Sequence, residues 1–158
     1  MTDGNTSEIT MARTPDGSTA IKGPRGAWIH LNGRAEDVMR LQLGGHLVGE
    51  MMARALAAMD QILVPDANFS VVVDAESQSG YEPDVRALAT AWLLKHNKRL
   101  NPAHLLTRTP MIKMGAQMIN NALGWSVFKI YEDRGEFERG VAKIVRDSER
   151  MRAGRRVP

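Results

Sequence analysis

Apolar residues change their spacing along the chain, from the two-residue period of strands to the 3.6-residue period of helices. Residues 28–43 hold two short apolar runs separated by Asn32-Gly33, a dipeptide typical of hairpin turns. Residues 48–63 place apolar side chains on one helical face, and Pro65 ends that helix. Residues 69–73 form a short run without polar alternation that is mostly β-branched, which predicts a strand buried on both faces.

The remainder of the chain continues to alternate helices with strands. The further predicted elements are a helix from Pro83 to about residue 100, a strand over 103–107, a helix over 111–123 closed by Gly124, a strand over 126–131 and a last helix that carries Phe137, Val141, Ile144 and Val145. The predicted order is β-β-α-β-α-β-α-β-α. This order indicates a single α/β domain with a mostly parallel sheet, an N-terminal antiparallel strand pair and helices packed against the sheet.

The two ends of the chain differ from the middle in composition. Residues 1–26 are rich in Thr, Gly, Asp, Ser and Pro without an apolar period, so we expect a flexible leader before a domain over 27–146. Residues 147–158 form a basic tail. Because the last aromatic residue is Phe137, this tail lacks the aromatic side chains that often accompany a nucleic-acid interface. We therefore expect a solvated tail and consider a nucleic-acid partner unlikely.

Composition narrows the class of protein further. The 158 residues suit one domain, and the lack of cysteine excludes disulfides and thiolate chemistry. The first residues carry neither a basic stretch nor an apolar run, and no segment approaches the ~20 apolar residues that a membrane span needs. We expect a cytoplasmic protein.

Residues with catalytic potential are sparse. None of the four histidines stands at metal-ligand spacing from another. Gly44-Gly45-His46 lacks the remaining glycines of a dinucleotide-binding loop and the lysine of a P-loop, so a backbone turn explains it better. We predict no metal, no cofactor, no catalytic residue and no enzymatic activity. The minor alternative is an enzyme that uses Asp74, Glu76 or His46.

The segment 74–82 is the first candidate binding site. It is predicted to be a loop between a buried strand and a helix, a position where sites in α/β sheets tend to lie. A phosphate on Ser77 or Ser79 would be favoured beside the N-terminus of that helix. The alternative is that Ser79, with Glu82 three residues later, only caps the helix. The residues predicted to contact a partner here are Gln78, Gly80 and Tyr81.

The helix over 111–123 is the second candidate. Met111, Met114 and Met118 follow one of its sides, while Ile112, Ala116, Ile119 and Leu123 follow another. If the second side faces the sheet, the flexible methionines are left near solvent and suit a protein-binding surface. The alternative is a helix buried on both sides, for instance in a dimer.

Several local patterns resemble the STAS domain of bacterial anti-anti-sigma factors, over about residues 27–146. They are the alternating run over 37–47 that closes with Gly45-His46-Leu47, the strand over 71–73 followed by Ser79-Gly80, and the segments 104–110 and 130–133. In that family the serine of the matching loop is phosphorylated by an anti-sigma kinase. Val48, where the family usually has Asp, and Gln78 before the serine indicate a divergent member.

The resemblance implies a non-catalytic regulatory domain that binds another protein, such as a kinase-like signalling partner, or associates with itself as a dimer. It leaves open whether the chain keeps the phosphorylation switch. The alternative is a small-molecule or lipid-binding module of similar α/β fold.

Overall fold

Strands and helices alternate through most of the chain in a computed structural model that describes residues 8–35 and 37–155. The elements are β1 (Thr10–Arg13), β2 (Thr19–Lys22), a 3₁₀ turn (Pro24–Gly26), β3 (Trp28–Ala35), β4 (Val38–Leu47), α1 (Gly49–Ile62), β5 (Ser70–Tyr81), α2 (Pro83–Lys95), β6 (Ala103–Leu106), α3 (Pro110–Leu123), β7 (Phe128–Tyr131) and α4 (Arg134–Arg155). From β3 onward this is the predicted order, and the α/β fold class is confirmed.

The seven strands form one sheet in the order in which they occur along the chain. β1 to β4 pair antiparallel, whereas β4 to β7 pair parallel. Each parallel strand is added on the same side of the previous one. Because such crossovers are right-handed, α1, α2 and α3 lie on one face of the sheet, and α4 covers the other.

Each face of the sheet has its own core. Leu41, Leu43 and Val71 belong to the larger core under α1–α3. The smaller core under α4 consists of Val38, Val72, Leu106, Tyr131, Phe137 and Val141. The neighbours Val71 and Val72 thus serve opposite cores, which confirms the prediction that this strand is buried on both faces.

The structure differs from the expected leader and tail at both ends of the domain. β1 and β2 lie within residues 1–26; β1 pairs with β2, and β2 pairs with β3, with Ile21 opposite Ile29. All four residues of β1 are exposed, and Ile21 is the one buried residue of β2. The sequence therefore lacks the alternating apolar pattern by which these strands could have been predicted. At the other end, α4 continues past residue 146 to Arg155.

The predicted turn at Asn32-Gly33 is wrong. β3 continues through these residues to Ala35, which pairs with Val38 after an irregularity in the ladder. The buried alternation of Ile29 and Leu31 against β4 sets the register here and outweighs the local preference of the dipeptide for a turn.

Gly45 adopts φ 73°, a conformation that favours glycine, but the predicted turn at Gly44-Gly45 is wrong, because β4 continues through both residues to Leu47. A methyl group on Gly45 would also lie 3.0 Å from Cα of Ala27. The left-handed conformation and the close backbone together require glycine where β4 approaches its end.

The contact between α4 and β6–β7 includes a partly buried polar pair. The hydroxyl of Tyr131 lies 2.8 Å from Nδ1 of His104, and the two rings stack. A methyl group on Gly140 of α4 would lie 2.5 Å from that hydroxyl, so the helix packs directly on the pair. Burial lowers the pKa of His104 below its ordinary value of 6.5, and the charge of Lys129 lowers it further.

We expect Gly45→Ala to lower the free energy of unfolding by about 1–3 kcal/mol, because alanine must adopt a left-handed conformation. Urea denaturation measures the change. Gly154→Ala, at the end of α4 with no atom within 4 Å of the added methyl, is the matched control and should cost nothing. Equal losses in both variants would contradict the assignment.

Acid should destabilise the protein partly through His104. Since its pKa is lower in the folded state, the unfolded chain binds more protons as the pH falls below about 6.5. The contribution of His104 is complete above that pH and is lost as the pH falls toward the folded-state pKa. We expect His104→Asn to show a smaller loss of stability than the natural chain between pH 7 and pH 5, as measured by urea denaturation. Identical pH dependence in the two proteins would contradict this prediction.

Candidate functional site

The segment 74–82 continues β5 to Tyr81 and is not the predicted loop. Gln42 of β4 pairs with Asp74 of β5, and the next pair is Gly44 with Ser77. Between these pairs β4 advances by two residues and β5 by three. The additional residue on β5 forms a β-bulge. Bulges shift the side chains from one face to the other, so the alternation that marks a strand is lost from the sequence.

Ser79 lies at a second bulge of β5. Gly45 pairs with Gln78 and His46 pairs with Gly80, so Ser79 has no opposite residue on β4. The side chains of Ser77 and Ser79 are both exposed. The proposed cap is wrong, because Glu82 is the N-cap of α2 and no side chain caps this terminus. Ser79 is therefore an accessible hydroxyl on a strand.

The other residues predicted around Ser79 divide between surface and interior. Gln78 is 5% exposed, and its side-chain amide donates a hydrogen bond to the main-chain carbonyl of Gly80. The main-chain carbonyl of Gln78 accepts a hydrogen bond from the hydroxyl of Thr109. Tyr81 is half-buried, and a methyl group on Gly115 of α3 would lie 2.2 Å from its hydroxyl. These residues hold the end of β5 against α3.

The three methionines of α3 lie on its outer side. Met111, Met114 and Met118 are 50%, 59% and 44% exposed. Ile112, Ala116 and Ile119 face the core, so the predicted division of the helix into two sides is confirmed. We call the three exposed residues the methionine face.

The structure brings part of the methionine face next to the end of β5. A methyl group on Gly80 would lie 3.8 Å from Cε of Met111 and 3.0 Å from Nδ1 of His46. Met118 lies farther along α3, where its sulfur is 3.2 Å from Nη1 of Arg86 on α2. The candidate surface therefore runs from the end of β5 along α3 toward α2.

A cavity of about 130 Å³ lies beneath this surface, between the sheet and α1–α3. Its walls are apolar except for Gln78, Tyr81 and Arg86. The spacing of apolar residues predicted a core here, but it carries no signal for a void, which depends on how the helices pack.

Asp74 and Glu76, two of the minor catalytic candidates, form ion pairs with an arginine whose proximity the sequence did not indicate. Arg134, at the start of α4, pairs with Asp74 at 2.9 Å and with Glu76 at 2.7 Å. The hydrogen bond to Asp74 is the main cause that raises the pKa of Arg134, and Glu76 adds to it. These residues are about 60 positions apart in sequence, so only the fold could reveal the pairing.

Residues 8–35 and 37–155 contain no group of three or more His, Asp or Glu side chains placed to hold a metal ion. Among the helices of these two stretches, none combines the length and apolar character required to cross a bilayer.

Comparison with known proteins finds likeness in structure without likeness in sequence. No protein-family model matches the chain, and no curated protein matches it. An uncharacterised protein of the DUF3478 family from Shewanella loihica PV-4, described as having a SpoIIAA-like fold, is 13% identical, with a TM-score of 0.52 over 84% of this chain and 90% of that one.

The anti-sigma factor antagonist SpoIIAA in its unphosphorylated form is similar to a comparable degree. It is 12% identical, with a TM-score of 0.53 over 73% of this chain and 96% of that one. Identities this low establish the fold alone. The chain thus has a SpoIIAA-like fold, as the resemblance to the STAS domain predicts.

Proposed function

We propose that this domain regulates another protein by binding it through the methionine face and the adjoining end of β5. The observation that carries the proposal is the exposure of Met111, Met114 and Met118 on one side of α3. Unbranched, polarizable methionine side chains adapt to the apolar surface of a partner, and clustered exposed apolar residues are uncommon on proteins without one. The partner surface would therefore present apolar side chains that insert between the methionines.

The position of Ser79 supports a regulatory version of this binding. Its exposed hydroxyl lies one residue before Gly80, which adjoins Met111. A phosphate at Ser79 would add about two negative charges next to an apolar surface and would oppose docking by its desolvation cost. Ser77, also exposed, is the second candidate acceptor.

The surroundings of the minor catalytic candidates support a non-catalytic role. Arg134 engages both Asp74 and Glu76, while His46 lies on β4, opposite Gly80 near the end of β5. A carboxylate that already pairs with an arginine is a poor general base, because the pairing favours its charged form.

Binding of a small apolar ligand is the second candidate function. It is supported by the cavity under α3, whose apolar walls suit a compact hydrophobic molecule.

A photo-crosslinking residue at position 114 should capture one distinct protein in cells that make this chain. The same residue at position 151 is the matched control, since Met151 is 54% exposed but lies on α4. Loss of the crosslink in Met118→Gln, and its persistence in Met151→Gln, would identify the methionine face as the contact. Equal capture from both positions would contradict the proposal, as would capture of a second copy of this chain alone.

Once the captured protein is purified, its affinity should fall about a hundredfold or more when Met111, Met114 and Met118 are all replaced by Gln, because each buried methionine contributes on the order of 1 kcal/mol or more to binding. Isothermal titration measures this. Ser79→Asp should weaken binding, and Ser79→Ala should leave it unchanged. An unchanged affinity in the triple variant would overturn the assignment of this face.

A further inference from the structure

The cavity under α3 has a composition that specifies more than a hydrophobic void. Its volume is about 130 Å³. Its apolar wall includes Leu43, Val73, Leu105, Trp92, Ile112 and Ala116. Apolar cavities of roughly 150 Å³ stay free of water and admit a molecule of the size of benzene. A ligand portion of about six carbon atoms would therefore fit.

The polar residues of the wall come from one end of the domain. Gln78 and Tyr81 stand at the end of β5, and Arg86 stands in the first turns of the helix that follows. Gln78 already donates its side-chain amide to the carbonyl of Gly80. The polar atoms of these residues contribute almost nothing to the wall, which is apolar, and Arg86 is the one charged residue among those that line it.

Arg86 is unusual because its guanidinium contacts a weak hydrogen-bond acceptor. Its guanidinium contacts the sulfur of Met118 at 3.2 Å. Within the described residues, Arg86 forms no ion pair with a carboxylate. A thioether accepts hydrogen bonds weakly, whereas a guanidinium offers five donors suited to a carboxylate. The residue is half-buried, but its contact with Met118 is exposed, so a carboxylate on the guanidinium would lie at the outer edge of the cavity.

We propose that this cavity binds a small monocarboxylate with an apolar portion of about six carbons, the apolar portion in the cavity and the carboxylate on Arg86. A single arginine matches a single negative charge. The inference rests on the second candidate function and specifies its ligand. Because Arg86 contacts Met118, a protein docked on the methionine face would lie next to the bound carboxylate.

The test uses the full chain, with hexanoate and benzoate as charged probes, 1-hexanol as the uncharged probe and acetate as the probe that lacks an apolar portion. Methyl signals of Ile112, Ala116 and Ile119, which line the cavity, are followed by NMR during titration. We expect hexanoate and benzoate to shift these signals, hexanol to do so more weakly, and acetate to leave them unchanged.

Arg86→Gln should weaken hexanoate binding about tenfold or more, since hydrogen bonds to charged groups are the strong ones, and should leave hexanol binding unchanged. Arg139→Gln, an exposed arginine on α4, is the matched control and should bind hexanoate like the natural chain. Ala116→Val, which narrows the cavity, should weaken both probes, and circular dichroism would verify that this variant is folded.

Two results would overturn the proposal in distinguishable ways. Equal binding of hexanol and hexanoate, with no effect of Arg86→Gln, would refute the carboxylate site while leaving a cavity that binds apolar molecules. Absence of methyl shifts with every probe would refute the ligand and the second candidate function together. Neither result bears on the crosslinking from position 114.

Discussion

β4 and β5 pair in parallel along most of their length, with two bulges on the β5 side. This pairing determines where every candidate group lies. It supplies the centre of both cores through Leu41, Val71 and Val72, and it carries β5 as far as Tyr81, where the strand meets α3. The left-handed conformation of Gly45 belongs to the same pairing, since it lies between the two places where the register shifts.

α3 connects the two proposals because its opposite sides serve different purposes. The inner side, with Ile112 and Ala116, forms part of the cavity wall, and the outer side is the methionine face. Gly115 allows the hydroxyl of Tyr81 to approach the helix closely, so the end of β5 and the helix are in direct contact. The surface that would bind a protein and the cavity wall are thus separated by the thickness of one helix.

Periodicity predicted what depends on local pattern and failed where tertiary contacts decide. The spacing of apolar residues predicted the two sides of α3, and the continuous apolar run predicted that β5 is buried on both faces. Both predictions succeeded because each side chain lies either in a core or in solvent. The second half of β5 did not, since the bulges at Ser79 and before Ser77 abolish the alternation. Arg134 joins Asp74 across about 60 residues, and no local signal indicates such a pair. β1 was missed because its side chains are all exposed and its order comes from backbone pairing.

The hydrogen bond from Ser148 to Asp37, 2.5 Å long, joins residues 111 positions apart. It lies where α4 returns across the sheet toward the start of β4. During synthesis, the strands and the first three helices emerge before this return is possible, so the apolar surface of Val38, Val72 and Leu106 meets water until the last helix has left the ribosome. The order in which the chain is made therefore leaves one face of a finished sheet uncovered until α4 has formed, and that interval is when a nascent chain most needs protection from its neighbours.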